Sequence, residues 1–257
     1  MDLLARENTA MHRLDARAKL VTTVLFVVVV ASADKYEVLA LLPLAAYPLV
    51  ICLAGRVPLG FIADKLLIAA PFALVMGAFN PVFDTEPRAL YETFTVAGGW
   101  ISYLSILIRF ALTVGAALAL VAVTGFNAVC TALEKLGAPK AFVVQLMFLY
   151  RYLFLLGAET SRMLRAKKLR TFERRGTSLH LFGSMSGHLL LRTFDRAARI
   201  QQAMSCRGFT GEIPVIRPLR LRAADLGFAA VWLAFFAAVR VFRLPDLLGR
   251  LALGVWP

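Results

Sequence analysis

Five apolar runs punctuate this chain, and one long polar stretch separates the fourth from the fifth. A helix that crosses a bilayer needs about 20 mostly apolar residues. The runs fall at residues 20–33, 38–54, 61–79, 101–123 and 224–241. The first is short, and Arg17 and Lys19 can snorkel at its start. Asp34 and Lys35 precede the second and Arg56 follows it; Asp64 and Lys65 stand near the start of the third. Arg109 alone breaks the fourth, and Asp225 marks the edge of the fifth. The pattern predicts an all-α polytopic membrane protein with about five transmembrane helices. Four of them lie in a bundle over residues 1–123, and the last, with a tail, lies in 223–257.

Residues 124–222 differ in kind. NAVCTALEKL (127–136) has the spacing of a short amphipathic helix, ended by Gly137 and Pro139. From Lys140 to about Arg174 the pattern predicts one long helix, apolar first and basic later, stopped by Gly176. Its first part, FVVQLMFLYRYLFLLG (142–157), could be read as a sixth span, but Gln145 and Arg151 interrupt it. We read it as the partly buried start of a helix lying along the membrane. GTSLHLFGSMSG then reads as a Gly- and Ser-rich loop, and residues 188–207 as a third helix stopped by Gly208. On that helix Arg192, Arg196, Arg199, Ala203 and Arg207 recur at i, i+3/i+4, while Leu190, Phe194, Ala197 and Met204 occupy another face. The segment is therefore three helices, two of them long and amphipathic.

Composition agrees with a membrane protein: 60% of the residues are hydrophobic and mean hydropathy is +0.72, against about 45–50% apolar in soluble domains. Charge orients the bundle. The net charge is +13, and residues 159–222 hold fourteen Lys/Arg against four acids, a net +10. Residues 80–100 carry Asp84, Glu86 and Glu92 against Arg88, a net −2. The positive-inside rule puts the N-terminus and the basic segment in the cytoplasm and the acidic loop outside, so that five spans leave the C-terminus outside. Residues 1–19 are polar with charges of both signs and do not form a cleavable signal peptide. Cys52, Cys130 and Cys206 are scattered, which argues against a disulfide framework or a zinc site.

Catalytic constellations are missing from the sequence. GSMSG has Met185 where a nucleophile elbow needs serine. No glycine precedes a lysine, so there is no phosphate-binding loop, and there is no HExxH or paired-aspartate cluster. His12, His180 and His188 do not cluster, so this chain is expected to hold no metal. Asp64, Lys65 and Arg109 are the ionisable residues nearest the bilayer, expected to reach an interface or to pair within the bundle. A membrane-embedded lipid-modifying enzyme would need an acid/base or metal group that is not apparent. A secondary transporter would show internal repeats and midplane polar residues. The basic segment lacks interleaved aromatics for stacking on nucleic acid.

Two basic helix ends carry the same ending, Arg175-Gly176 in TFERRGT and Arg207-Gly208 in AMSCRGFTGE. Glycine is the usual helix stop, and arginine suits the negative end of the helix dipole. A guanidinium at a helix tip also suits bidentate contact with carboxylates in a groove of another protein. Two such tips suggest two similar cytoplasmic subunits.

HRLDARAKL (12–20), FLYRYLFLL (148–156), ERRG (173–176) and LLLRTFDRAARIQQAMSCRGF (189–209) together resemble the transmembrane T component of energy-coupling factor transporters, in its cobalt/nickel, CbiQ-like branch. The resemblance covers nearly the whole chain and is strongest in the basic segment. That family's short motifs read Ala-Arg-Gly; here Arg174 and Cys206 stand at the alanine places, while Arg175, Gly176, Arg207 and Gly208 match. The resemblance implies a non-catalytic subunit without a cofactor of its own. It implies that residues 124–222 are a cytoplasmic coupling domain whose two tips each engage one of two ATP-binding-cassette ATPases, which bind ATP and Mg2+. It further implies a separate substrate-binding membrane S component, CbiM-like, which chooses cobalt, nickel or a vitamin. Leu190, Phe194 and Met204 would pack the coupling helices on each other and on that partner.

Overall fold

Asp15 sets where the first long helix begins. Its carboxylate accepts the Arg17 N–H at 2.8 Å, an N-cap contact, so the helix starts at Ala16, four residues before the apolar run. The structure, a computed structural model, describes residues 9–34, 38–83, 87–91, 94–170, 179–211 and 221–241. It divides into two units, residues 1–132 with 218–257, and residues 133–217.

In the first unit a short helix α1 (Ala10–Arg13) leads into α2 (Ala16–Ala31). The second apolar run is not one helix. It splits into α3 (Val38–Leu41), a 3-10 turn at Pro43–Ala45, and α4 (Ala46–Ala54). Pro43 lacks the N–H that would continue the α-helical ladder, whereas Pro48 sits in the first turn of α4, where the N–H has no helical partner. α5 (Leu59–Gly77) and α6 (Asn80–Phe83) follow. The acidic loop then holds an antiparallel hairpin, β1 (Pro87–Tyr91) and β2 (Phe94–Ala97), with Arg88 opposite Val96 and an irregularity between Ala89 and Tyr91. The sequence pattern had only a loop there. α7 (Gly98–Thr124) comes next, and α11 (Ala223–Val241) closes the unit.

The core lies among α2, α4, α7 and α11. Tyr47 is fully buried; its ring stacks on Phe26 at 4.7 Å and meets Trp232 edge-on at 4.8 Å. Its hydroxyl is paired with Thr23 Oγ1 at 2.8 Å, so no polar group is stranded in the aromatic cluster. Ala116, Ala119 and Ala122 on α7 are fully buried. Such small side chains let helices approach closely where apolar surroundings give no hydrophobic drive.

Contacts at helix ends give the directions. The start of α2 meets the start of α11, where the Asp15 N–H donates to Asp225 Oδ1 at 2.7 Å. The end of α2 meets the end of α11, where Arg240 donates to the Ser32 carbonyl at 2.9 Å. These two helices are therefore parallel. Arg109, early in α7, donates to the Asp34 carbonyl just past α2, so α7 runs against α2. Gly55 at the end of α4 packs on Val123 at the end of α7, and Gly77 at the end of α5 packs on Tyr103 near the start of α7. The long elements thus alternate in direction, and the chain leaves this bundle after α7 and re-enters it at α11 on the same end.

In the second unit, α8 (Phe126–Lys135) straddles the division, α9 runs Lys140–Arg170 and α10 runs Leu179–Cys206. The expected helix from Lys140 is continuous to Arg170, and residues 171–178 lie outside the described residues. The expected loop GTSLHLFGSMSG is corrected: its residues from Leu179 onward belong to α10. Gly183 and Gly187 have nothing within 4 Å of where a Cβ would stand, so no packing demand placed them there. A glycine inside a helix costs only about 1 kcal/mol relative to alanine, too little to stop it.

Among the described residues four helices are long and apolar enough to cross a membrane: α5, α7, α9 and α11. Two of the five expected runs are shorter as helices. The 16 residues of α2 span about 24 Å, and α3–α4 is interrupted. The addition is α9, whose 31 residues qualify despite Arg151.

Candidate coupling site

The end of α10 is a local consequence of its sequence. The Gly208 N–H bonds to the Ser205 carbonyl and the Phe209 N–H to the Met204 carbonyl, both at 3.0 Å. Gly208 has φ +77°, the left-handed turn that glycine adopts without penalty. The preceding Arg207 caps the helix and is exposed, as is Cys206, the last helical residue. Its guanidinium therefore leaves the chain at the negative end of the helix dipole. Phe209 turns back and its ring lies 6.4 Å from that of Phe148 on α9. The α8 end uses the same turn, with Gly137 at φ +107° and the Ala138 N–H on the Leu133 carbonyl at 3.0 Å.

α9 and α10 run antiparallel: Phe148 faces Phe209, and Glu159 faces Arg192. Glu159 Oε1 accepts from Arg192 at 3.1 Å and Oε2 pairs with Arg162 at 3.3 Å. These cations are about two-thirds exposed, so the pairs fix register more than they stabilise. The half-buried positions of α10 are Met185, Leu189, Thr193, Arg196, Ile200 and Met204, one stripe at helical spacing. Leu190 and Phe194 are 55% and 63% exposed and belong to another side of the helix. The apolar face read from the sequence is thus two faces, with Met204 on the first and Leu190 and Phe194 on the second. Arg174, Arg175 and Gly176 lie outside the described residues.

The three ionisable residues flagged near the bilayer separate. Asp64 and Lys65 are exposed, with Lys65 Nζ 5.8 Å from the Phe61 ring centroid. Arg109 Nη2 donates to the Asp34 carbonyl at 2.6 Å, pairing within the bundle. The sequence reading missed the opposite end, where the chain returns. Asp225 is 1% exposed; Oδ1 accepts the Asp15 N–H and Oδ2 the Arg222 N–H, both at 2.7 Å. Asp15 and Lys19 are buried beside it, and Lys19 Nζ donates to the Met11 carbonyl at 3.1 Å. Two parallel helices put two positive dipole ends side by side, and the two carboxylates answer them. The sequence signals two helix caps, aspartate directly before or inside a first helical turn, in HRLDARAKL and in RAADLG, but not that the two meet.

The family model of the cobalt transport protein CbiQ matches residues 7–216. The chain belongs to that family. The match runs from before the HRLDARAKL stretch to past the Arg207-Gly208 tip. An uncharacterized protein of Methanocaldococcus jannaschii is 24% identical over 234 residues, covering 87% of this chain and 79% of its own length. With its spanning helices, this member of the cobalt transport family is a multi-pass membrane protein and a component of transport.

Proposed function

We propose that this chain is the transmembrane coupling (T) subunit of an ATP-driven energy-coupling factor importer for cobalt or nickel. Two ATP-binding-cassette ATPases bind ATP and Mg2+ and hydrolyse the nucleotide. This chain carries their motion to a separate substrate-binding membrane S component, CbiM-like, and itself binds no cofactor, no transported metal and no nucleic acid. The observation that carries the reading is Arg207: exposed, at a helix tip fixed by Gly208 and anchored through Phe209. Arg174, Arg175 and Gly176 supply the second tip, with Cys206 in the first. Leu190 and Phe194, exposed on α10, offer the S component an apolar surface.

The N-terminus and the coupling domain lie on the cytoplasmic side of the inner membrane, by the positive-inside rule. The parallel α2 and α11 support this arrangement. A chain that leaves and re-enters a bundle on one end crosses the bilayer an even number of times in between. α10, with Arg192, Asp195, Arg196 and Arg199, is too charged to cross. In this reading α9 lies along the membrane on that side, although it is long and apolar enough to span.

The test is the Arg175→Ala/Arg207→Ala variant, co-expressed with its ATPases and S component. Loss of ATPase pull-down and of metal uptake is expected, with the membrane bundle still folded. Normal assembly and uptake would sink the coupling role. A vitamin in place of the metal ion would appear as uptake specified by the S component. Turnover of lipid by the purified chain alone would favour a lipid-modifying enzyme instead.

A further inference from the structure

We infer that the groove between α9 and α10 binds the phosphate of an anionic phospholipid. The groove is shallow and open to solvent, and offers about 640 Å³, a volume like that of small-molecule sites. Arg162, Lys167 and Arg170 from α9 and Arg192 from α10 line it, with Glu159 as its one carboxylate, an excess of three positive charges. Its floor is different: Met163 and Met185 are half-buried, while Arg162, Arg170 and Arg192 are exposed at the rim.

An apolar floor under a cationic rim fits an amphiphilic anion better than a free one. Phosphate alone has no use for the methionines, whose flexible thioethers adapt to irregular apolar groups. Glu159 does not cancel the site. It holds Arg192 and Arg162 at 3.1 and 3.3 Å, which fixes two guanidiniums that would otherwise be mobile and leaves each further N–H donors. α9 also supplies the setting. Leu149 and Leu153 are each 59% exposed, and Arg162 follows Leu153 by nine residues, about 14 Å along the axis. One helix thus carries both an exposed apolar stretch and, a few turns on, the cationic groove, the two chemistries an anionic lipid presents. The inference concerns this unit alone and does not rest on the ATPase partners.

The full chain is reconstituted in nanodiscs of phosphatidylcholine mixed with phosphatidylglycerol, and retained phosphatidylglycerol is counted by native mass spectrometry. Arg170→Gln should weaken retention about fivefold, and Arg170→Gln/Arg192→Gln about thirtyfold. Arg165→Gln removes an exposed cation of α9 outside the groove and should change retention less than about twofold. Thermal melts of each variant check that the fold persists. Equal losses in Arg165→Gln and Arg170→Gln would mean diffuse attraction and overturn the site. Displacement of the lipid by inorganic phosphate would reassign it to a free anion. Unchanged lipid retention in the double variant, with loss of ATPase binding, would reassign the groove to an acidic protein.

Discussion

Replacing Asp225 by alanine should destabilise the bundle more than any surface change in the chain. The carboxylate is 1% exposed and accepts two backbone N–H groups at 2.7 Å, one from Asp15 at the start of α2 and one from Arg222 before α11. Bonds to charged groups contribute about 1.5–3 kcal/mol each, and truncation strands both donors. Against this stands the relief of removing a buried charge. Lys19 lies buried beside it, however, and loses a neighbouring counter-charge, so relief is partial. The net loss is about 3 kcal/mol, the lower end for breaking a buried charged contact. For a chain of this size about 1 kcal/mol moves the melting midpoint by about 2–4 °C, so Asp225→Ala should melt about 6–12 °C lower. Asp225→Asn keeps one acceptor oxygen but turns an NH2 toward a donor, and should lose about half as much. The assay is a thermal melt of purified protein in detergent at a fixed scan rate. Asp225→Ala melting within a degree of wild type, or Asp225→Asn melting below Asp225→Ala, would refute the capping account.

Gly55→Ala puts a Cβ 2.5 Å from Val123 Cγ2 and 2.8 Å from the Ile51 carbonyl. It should cost about 1–3 kcal/mol, partly recovered by Val123→Ala, as read in the same melts. Arg56→Gly should raise the midpoint by a few degrees, because Arg56 holds φ +52°, a left-handed conformation that costs a side chain about 1–2 kcal/mol; a lower midpoint would show that the arginine itself stabilises. In a background with Cys52, Cys130 and Cys206 replaced, single cysteines at Lys140 and Ser161 should react with a membrane-impermeant maleimide from one and the same side. Labelling from opposite sides would mean that α9 crosses.

What the sequence revealed depended on how local the cause was. The stops at Gly137 and Gly208 were legible because a left-handed turn is decided by the residue that makes it. The spans at α5, α7 and α11 were legible because length and apolarity suffice. The start of α10 was misread because glycine and serine were counted as breakers, although an exposed helix tolerates Gly183 and Gly187. The break at Pro43 was legible in principle, but hydropathy alone passes over it. Asp225 was out of reach for another reason. Its partner Asp15 lies 210 residues away in sequence, and nothing local distinguishes a carboxylate that caps its own helix from one that ties two helix starts together.

Arginine at a helix end is a weak sign by itself, and the structure separates its two uses. Arg240, in the last turn of α11, donates to the Ser32 carbonyl, and Arg109 reaches the Asp34 carbonyl just past α2. Both guanidiniums are committed to backbone acceptors inside the bundle and neutralise the negative end of α2. Arg207 stands at the end of a helix of similar polarity, yet its guanidinium meets no acceptor among the described residues. The dipole alone explains why arginine is tolerated at all these places. It does not explain why Phe209 is anchored on Phe148 to hold an exposed tip steady. Rigidity at an exposed cation is useful when a partner must be met in one geometry, because ordering done in advance need not be repeated on binding. That reasoning makes Phe209, as much as Arg207, part of the proposed coupling site.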